Sequence, residues 1–195
     1  MDKTIDKQVR GGVVIALLGF VEERLDPAAR VSVLESVPPE LSRNLRNLER
    51  AGFYDYEYSN AVMRGITRTV PDPIRAYSLA REAAEFVAND AINTFLRLLV
   101  KFLKPAILAR KFEDFFRKDH NFGRMQTDLS EVAKNRFVLT MSDVEGYEYV
   151  GAGAGGWMCH VLACMGCKNV EVRETLNPPP APQTADNYRF EVTWS

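Results

Sequence analysis

Gly146-Tyr-Glu-Tyr-Val-Gly-Ala-Gly-Ala-Gly-Gly-Trp157-Met-Cys-His-Val-Leu-Ala-Cys-Met-Gly166 is followed by Lys168-Asn-Val-Glu-Val-Arg-Glu174 and, after a gap, by Tyr188-Arg-Phe-Glu-Val-Thr-Trp194. This pattern predicts a helix from about Tyr147 that stops at Gly166, then two short strands, Asn169–Arg173 and Tyr188–Trp194. Tyr147, Val150, Ala154, Trp157, Val161 and Cys164 fall at steps of three and four and define its expected buried stripe. The prolines from Asn177 to Pro182 supply no ladder donors, so that stretch reads as a loop. Upstream, Arg136–Ser142 is apolar and β-branched enough for a strand, with Gly123–Leu129 as its partner.

Everything earlier reads as helix. Gly11–Leu25 is apolar on most faces, and Asp26-Pro27 supplies a cap and a first-turn proline for the next helix. Pro38-Pro39-Glu40 starts a helix carrying Leu41, Leu45 and Leu48, closed by Gly52. Asp55 is placed to cap a helix with Tyr58, Val62 and Ile66 on one side. After Pro71-Asp72-Pro73, apolar residues keep helical steps from Arg75 to Leu103, and Pro105 restarts a helix with Leu108, Phe112, Phe115 and Phe116 inward. The expectation is an α+β domain: a flexible tail over 1–10, and one domain over 11–195. Its helical part covers 11–120 and its sheet part 121–195, with a small antiparallel sheet in β-β-α-β-β order.

Size and charge narrow the functions. A chain of 195 residues suffices for one domain burying roughly 70% of its unfolded surface. A net charge of −1 provides no field for nucleic acid or anionic lipid. Between Lys101 and Arg124 seven Lys/Arg face three Asp/Glu, which reads as a solvated helix face. Lys3, Lys7 and Arg10 precede the apolar run Val13–Val21, but Asp2, Asp6 and the following Glu22-Glu23 spoil a signal peptide. The run is too short to cross a bilayer. Three cysteines give no disulfide framework and suit a reducing, cytoplasmic setting.

Two constellations in the 146–174 segment have chemical precedents. Gly151-Ala-Gly153-Ala-Gly-Gly156, with Glu171 and Glu174 about twenty residues on, matches the dinucleotide fingerprint. Against it, Glu145–Tyr149 is a poor buried parallel strand, and about twenty residues after Glu174 leave no room for further βα units. The competing reading is that the small residues let the helix lie close against a sheet, with tight packing offsetting about 1 kcal/mol per interior glycine. Cys159, His160, Cys164 and Cys167 include a C-x-x-C pair, yet a closed zinc site would need His120 to fold onto this helix. Buried thiol packing is the expectation, and no metal or cofactor is assigned. With two histidines and no serine elbow, nucleophilic catalysis has little to work with.

Pro39-Glu-Leu-Ser-Arg-Asn-Leu-Arg-Asn-Leu-Glu-Arg-Ala-Gly-Phe-Tyr54-Asp-Tyr-Glu-Tyr58 and the terminal Gly156-Trp…Val170-Glu-Val-Arg-Glu174…Tyr188–Trp194 together resemble an uncharacterised bacterial family with many paralogues in myxobacteria. More remotely, the strand–strand–helix–strand–strand ending resembles the superfamily of haem-nitric-oxide-binding domains, 4-vinyl-reductase-type domains and TRAPP subunits. That resemblance implies a helical front half, a small antiparallel sheet and often a hydrophobic cavity. It carries no cofactor across. The cysteines of the vinyl-reductase type are missing between Asn177 and Arg189, and the Tyr-x-Ser-x-Arg motif of the haem-binding members is absent.

The resulting expectation is a non-enzymatic sensory or adaptor module that binds a small apolar ligand or a protein partner and is able to form a homodimer. Trp157, His160, Tyr54, Tyr56 and Tyr58 are its candidate ligand-binding residues, as aromatic bodies with polar tips. The alternative is a nucleotide- or flavin-binding enzyme using Gly151–Gly156.

Overall fold

The computed structural model describes residues 6–92, 104–146, 149–178 and 185–195. Its elements run β1 (Gln8–Arg10), α1 (Gly11–Arg24), α2 (Pro27–Ser36), α3 (Pro39–Leu45), β2 (Phe53–Asp55), α4 (Glu57–Arg68) and α5 (Pro73–Ala91). Then follow α6 (Pro105–Arg110), α7 (Phe112–Asp119), β3 (Arg124–Asp128), β4 (Arg136–Ser142), α8 (Val150–Cys164), β5 (Glu171–Glu174) and β6 (Tyr188–Thr193). The chain is a mostly helical α+β protein with two small antiparallel sheets.

Local chemistry accounts for most boundaries. The Asp26 side chain accepts from the Ala29 amide at 2.9 Å, and Asp72 accepts from Arg75 at 2.7 Å. Each satisfies an amide the helix cannot, and proline occupies the first turn behind both caps. Asp55, two residues ahead of α4, accepts from the Glu57 amide at 2.8 Å. Tyr58, Val62 and Ile66 of α4 are buried as a stripe.

Three local expectations are corrected. The amino-terminal stretch is not wholly a loose tail. Gln8–Arg10 pairs antiparallel with Phe53–Asp55 because Val9 is completely buried while its neighbours are not, the period-2 signature of a half-buried strand. The helix from Pro39 ends at Leu45 rather than running to Gly52. The loop instead returns to α1, where the Gly11 and Gly12 amides donate to the Gly52 and Arg50 carbonyls at 2.8 and 3.0 Å. The helix from Pro105 breaks at Lys111 into α6 and α7. The continuation of the long helix beyond Ile92, with Phe95, Leu98 and Phe102, lies outside the described residues.

The four-stranded sheet has the order β3-β4-β6-β5, and every described pairing is antiparallel. In β4, Phe137, Leu139 and Met141 face inward in strict alternation, meeting Tyr188, Phe190 and Val192 of β6. Two apolar clusters result. One joins the sheet to α6, α7 and α8, and the other fills the space among α1, α2, α4 and α5.

Helix α8 joins the clusters, and its glycines work differently from the expectation. A Cβ on Gly156 would come within 2.4 Å of the Arg81 carbonyl in α5, whereas one on Gly155 would reach Val172 of β5 only at 3.9 Å. The close approach is therefore chiefly helix on helix, not helix on sheet. Burial follows: Val150, Ala152, Met158, Val161 and Leu162 are enclosed, Ala154 and Trp157 are partly so, and Cys164 is exposed. Tyr147 lies outside the described residues. Since α8 follows Tyr149, itself in a left-handed turn at φ 55°, no described parallel strand leads into Gly151–Gly156. The context a dinucleotide fingerprint requires is missing.

Candidate ligand cavity

Where the two clusters meet, the side chains leave a cavity of about 130 Å³. Val13 and Leu17 of α1, Met63 of α4 and Val87 of α5 wall one side. Phe112 and Phe116 of α7, Leu139 and Met141 of β4, and Trp157 and Met158 of α8 wall the other. Gly153 also lines it, and a Cβ there would meet nothing within 4 Å. Its wall spans both halves of the fold, so it exists only once helices and sheet have docked.

Of the two ring contacts Trp157 makes in the aromatic wall, one is edge to face and the other tilted. The Trp157 ring lies 5.6 Å from Phe112 at 72° and 5.9 Å from Phe115, within the range where ring quadrupoles attract. Polar groups enter at one end. His120 terminates α7 in extended conformation and bridges to Val9 of β1. Its ring stacks on Phe116 at 4.1 Å and 8°. Nδ1 lies 3.0 Å from the Phe116 carbonyl; since a carbonyl can only accept, Nδ1 carries the proton. Burial drives the His120 pKa down to about 4, against a smaller opposing pull from that carbonyl, so the imidazole is neutral at pH 7. Beside it, burial raises the Asp119 pKa while Lys118 and Arg10 pull it back.

Of the residues singled out in the sequence, Trp157 lines the cavity, whereas His160 and the three tyrosines do not. His160 sits further along α8 with Nε2 3.5 Å from Cys164 Sγ. Tyr54 and Tyr58 contact each other edge to face at 6.0 Å. Their hydroxyls accept from the Glu49 amide at 2.9 Å and from Asn44 at 3.2 Å. Tyr56 packs on Phe122 at 5.8 Å. These rings brace α3, β2 and α4 against one another. Among the described residues no three metal-ligating side chains converge. Cys159 Sγ instead accepts from Arg81 at 2.7 Å. Burial still holds its thiol pKa up, with Arg81 opposing. The cavity residues that sequence reasoning missed, Asp119 and His120, carried one available signal: a polar pair one helical turn past the inward Phe112-x-x-Phe115-Phe116.

No protein-family model matches the chain, and no curated protein matches it. Solved structures do. An Fe(II) unliganded H-NOX protein from K. algicida superposes with TM-score 0.72 at 12% identity, covering 95% of this chain and 96% of that one. An H-NOX protein from S. oneidensis in the Fe(II)NO state gives TM-score 0.70 at 13% identity, with 95% and 99% covered. The IWP-051-bound H-NOX from Shewanella woodyi in the Fe(II)CO state gives 0.63 at 14%, with 95% and 94% covered. At these identities the likeness is one of fold, and over nearly its whole length this chain has the fold of the H-NOX structures.

Proposed function

We propose that the chain is a non-enzymatic sensory module that holds one small apolar molecule in this cavity. The observation that carries the reading is the cavity's position and lining: an apolar space walled by α1, α4 and α5 on one side and by α7, α8 and the sheet on the other. An occupant would contact both halves at once, so binding would bias how they dock. The volume of about 130 Å³ is close to that of an engineered apolar cavity of ~150 Å³ that takes up benzene or xenon. Trp157 is the wall residue proposed to touch the ligand. The proposal keeps a cytoplasmic setting and a homodimer as its expected context.

Haem is the group that the H-NOX fold brings into question. One feature suits it: His120 stands on the wall with Nδ1–H directed at the Phe116 carbonyl, the arrangement that fixes a metal-ligating imidazole. The space does not suit it. A tetrapyrrole needs several times the volume of a single benzene ring, and no Lys or Arg is among the described wall residues to meet propionates. The cavity as it stands does not fit haem, and no chemistry is assigned through it.

Benzene or indole added to the purified protein tests the reading by thermal denaturation. Ligand at a hundred times its Kd should stabilise by about 2.7 kcal/mol. Gly153→Leu, which fills the open side of the cavity, should abolish that gain. Equal stabilisation of the filled variant would overturn the assignment.

A further inference from the structure

Asp119 stands where the helix gives a carboxylate no local support. It is the last residue of α7, at the negative end of the helix dipole, which opposes an anion. It follows Phe116, Phe115 and Phe112 by three, four and seven residues, so it shares the inward face of the helix with those rings. It is half-buried on the wall of the apolar cavity, and it also borders an adjoining, more polar space lined by Arg10 and Lys118.

Among the described residues no hydrogen bond or ion pair reaches this carboxylate, and Lys118 and Arg10 act on it only through their charge. Neither of its oxygens is sealed off by neighbouring atoms, so a molecule lying where the two spaces meet can reach them. A half-buried acceptor without a donor is costly, and a hydrogen bond to a charged group counts for more than one between neutral groups. The two cations already balance the charge of Asp119. An ammonium would meet both of them, whereas a neutral O–H or N–H supplies only the missing hydrogen bond.

We propose that Asp119 is the recognition group of the cavity, and that the ligand is an uncharged apolar compound carrying a single O–H or N–H donor. The inference rests on the cavity being a ligand site and adds the ligand's chemical class. The apolar body lies against Trp157 and Phe116, and its donor meets the Asp119 carboxylate at the edge of the polar space.

Three probes of similar size separate donor from charge and from body. Ethylbenzene has no donor, benzyl alcohol has a neutral one, and benzylamine is a cation. In calorimetric titrations of the full chain, Asp119→Leu should weaken benzyl alcohol about tenfold or more, the factor a hydrogen bond to a charged group supplies, and leave ethylbenzene unchanged. Asp119→Asn keeps the shape and a neutral acceptor. It should weaken benzyl alcohol by a smaller factor, and it carries the test should the leucine variant not fold. In the unaltered protein benzylamine should bind more weakly than benzyl alcohol. Benzyl alcohol binding indifferent to both substitutions, or benzylamine as the tighter probe, would overturn the assignment while ethylbenzene binding upheld the cavity. Equal weakening of ethylbenzene and benzyl alcohol would also overturn it, because Asp119 would then shape the cavity without recognising a donor. If no probe binds and benzene also fails, the cavity reading falls with it.

Discussion

Replacing Glu174 by Gln should make the protein more stable above neutral pH and leave it nearly unchanged below pH 5. Glu174 sits in the edge strand β5 opposite Phe190 and is 6% exposed. One carboxyl oxygen accepts from the Tyr77 hydroxyl of α5 at 3.3 Å, and the other is buried with no partner. The nearby Tyr188 side chain is fully buried and its hydroxyl makes no well-aligned hydrogen bond. Burial pushes the Glu174 pKa up to about 7, with Tyr77 pulling weakly the other way. The same burial, with Glu174 close by, raises Tyr77, and burial takes Tyr188 up to about 12.

The sign follows from proton counting. Between the unfolded value, about 4.3, and 7 the folded state holds more protons than the unfolded chain, so stability falls as pH rises through that window. At about 1.4 kcal/mol per pK unit the upper bound exceeds 3 kcal/mol. Solvent at the sheet edge screens the charge and leaves roughly 1–2 kcal/mol. Gln keeps an acceptor for Tyr77 and cannot ionise. Urea denaturation followed by circular dichroism from pH 4 to pH 9 reads the result. Glu174→Gln should exceed the unaltered protein by about 1–2 kcal/mol at pH 8, or roughly 2–8 °C in Tm, with the gap closing by pH 5. Parallel stability profiles for the two proteins would refute the reasoning. His120 contributes the opposite slope: its folded pKa of about 4 lies below the ordinary value, so its term rises with pH up to about 6.5. Both proteins carry that term, and it cancels in the difference.

Gly156→Ala should destabilise by about 1–3 kcal/mol because its methyl would strike the Arg81 carbonyl. Gly153→Ala, pointing into open space, should stabilise by up to about 1 kcal/mol; equal effects in urea melts would contradict the α5–α8 packing. Loss of either cap, Asp26→Ala or Asp72→Ala, should cost about 1 kcal/mol, measured the same way. Haemin added to the purified protein should produce no histidine-ligated Soret band, and His120→Ala should leave the absorption spectrum unchanged; a saturable band lost in that variant would show that the cavity opens far enough for a tetrapyrrole.

The candidate site was less legible than the elements. Tyr54, Tyr56 and Tyr58 have the composition of a pocket wall, yet they are spent on bracing β2 and α4, with Glu49 and Asn44 satisfying two hydroxyls. Side-chain type says that a ring will be half buried and polar at one end, not which space it will face. His120 drew attention in the sequence as a remote zinc ligand, not as a cavity wall. Its place on the cavity wall depends on β1 pairing across to it at Val9, more than a hundred residues away in the chain. The Gly151–Gly156 run shows the same limit, because glycine marks a close approach without naming the approaching partner.

What the sequence determined by itself was local. Proline and aspartate placed the starts of α2 and α5, and the apolar, β-branched run Arg136–Ser142 and the segment Tyr188–Trp194 marked two strands. Such features rest on backbone dihedrals and on hydrogen bonds within a few residues, so a short window contains all their causes. Tertiary structure alone decided that α8 packs on α5 through Gly156, that β1 and β2 join, and that a cavity remains between the two clusters. Those depend on the volumes and charges of residues far apart in the chain, which meet only when the layers close.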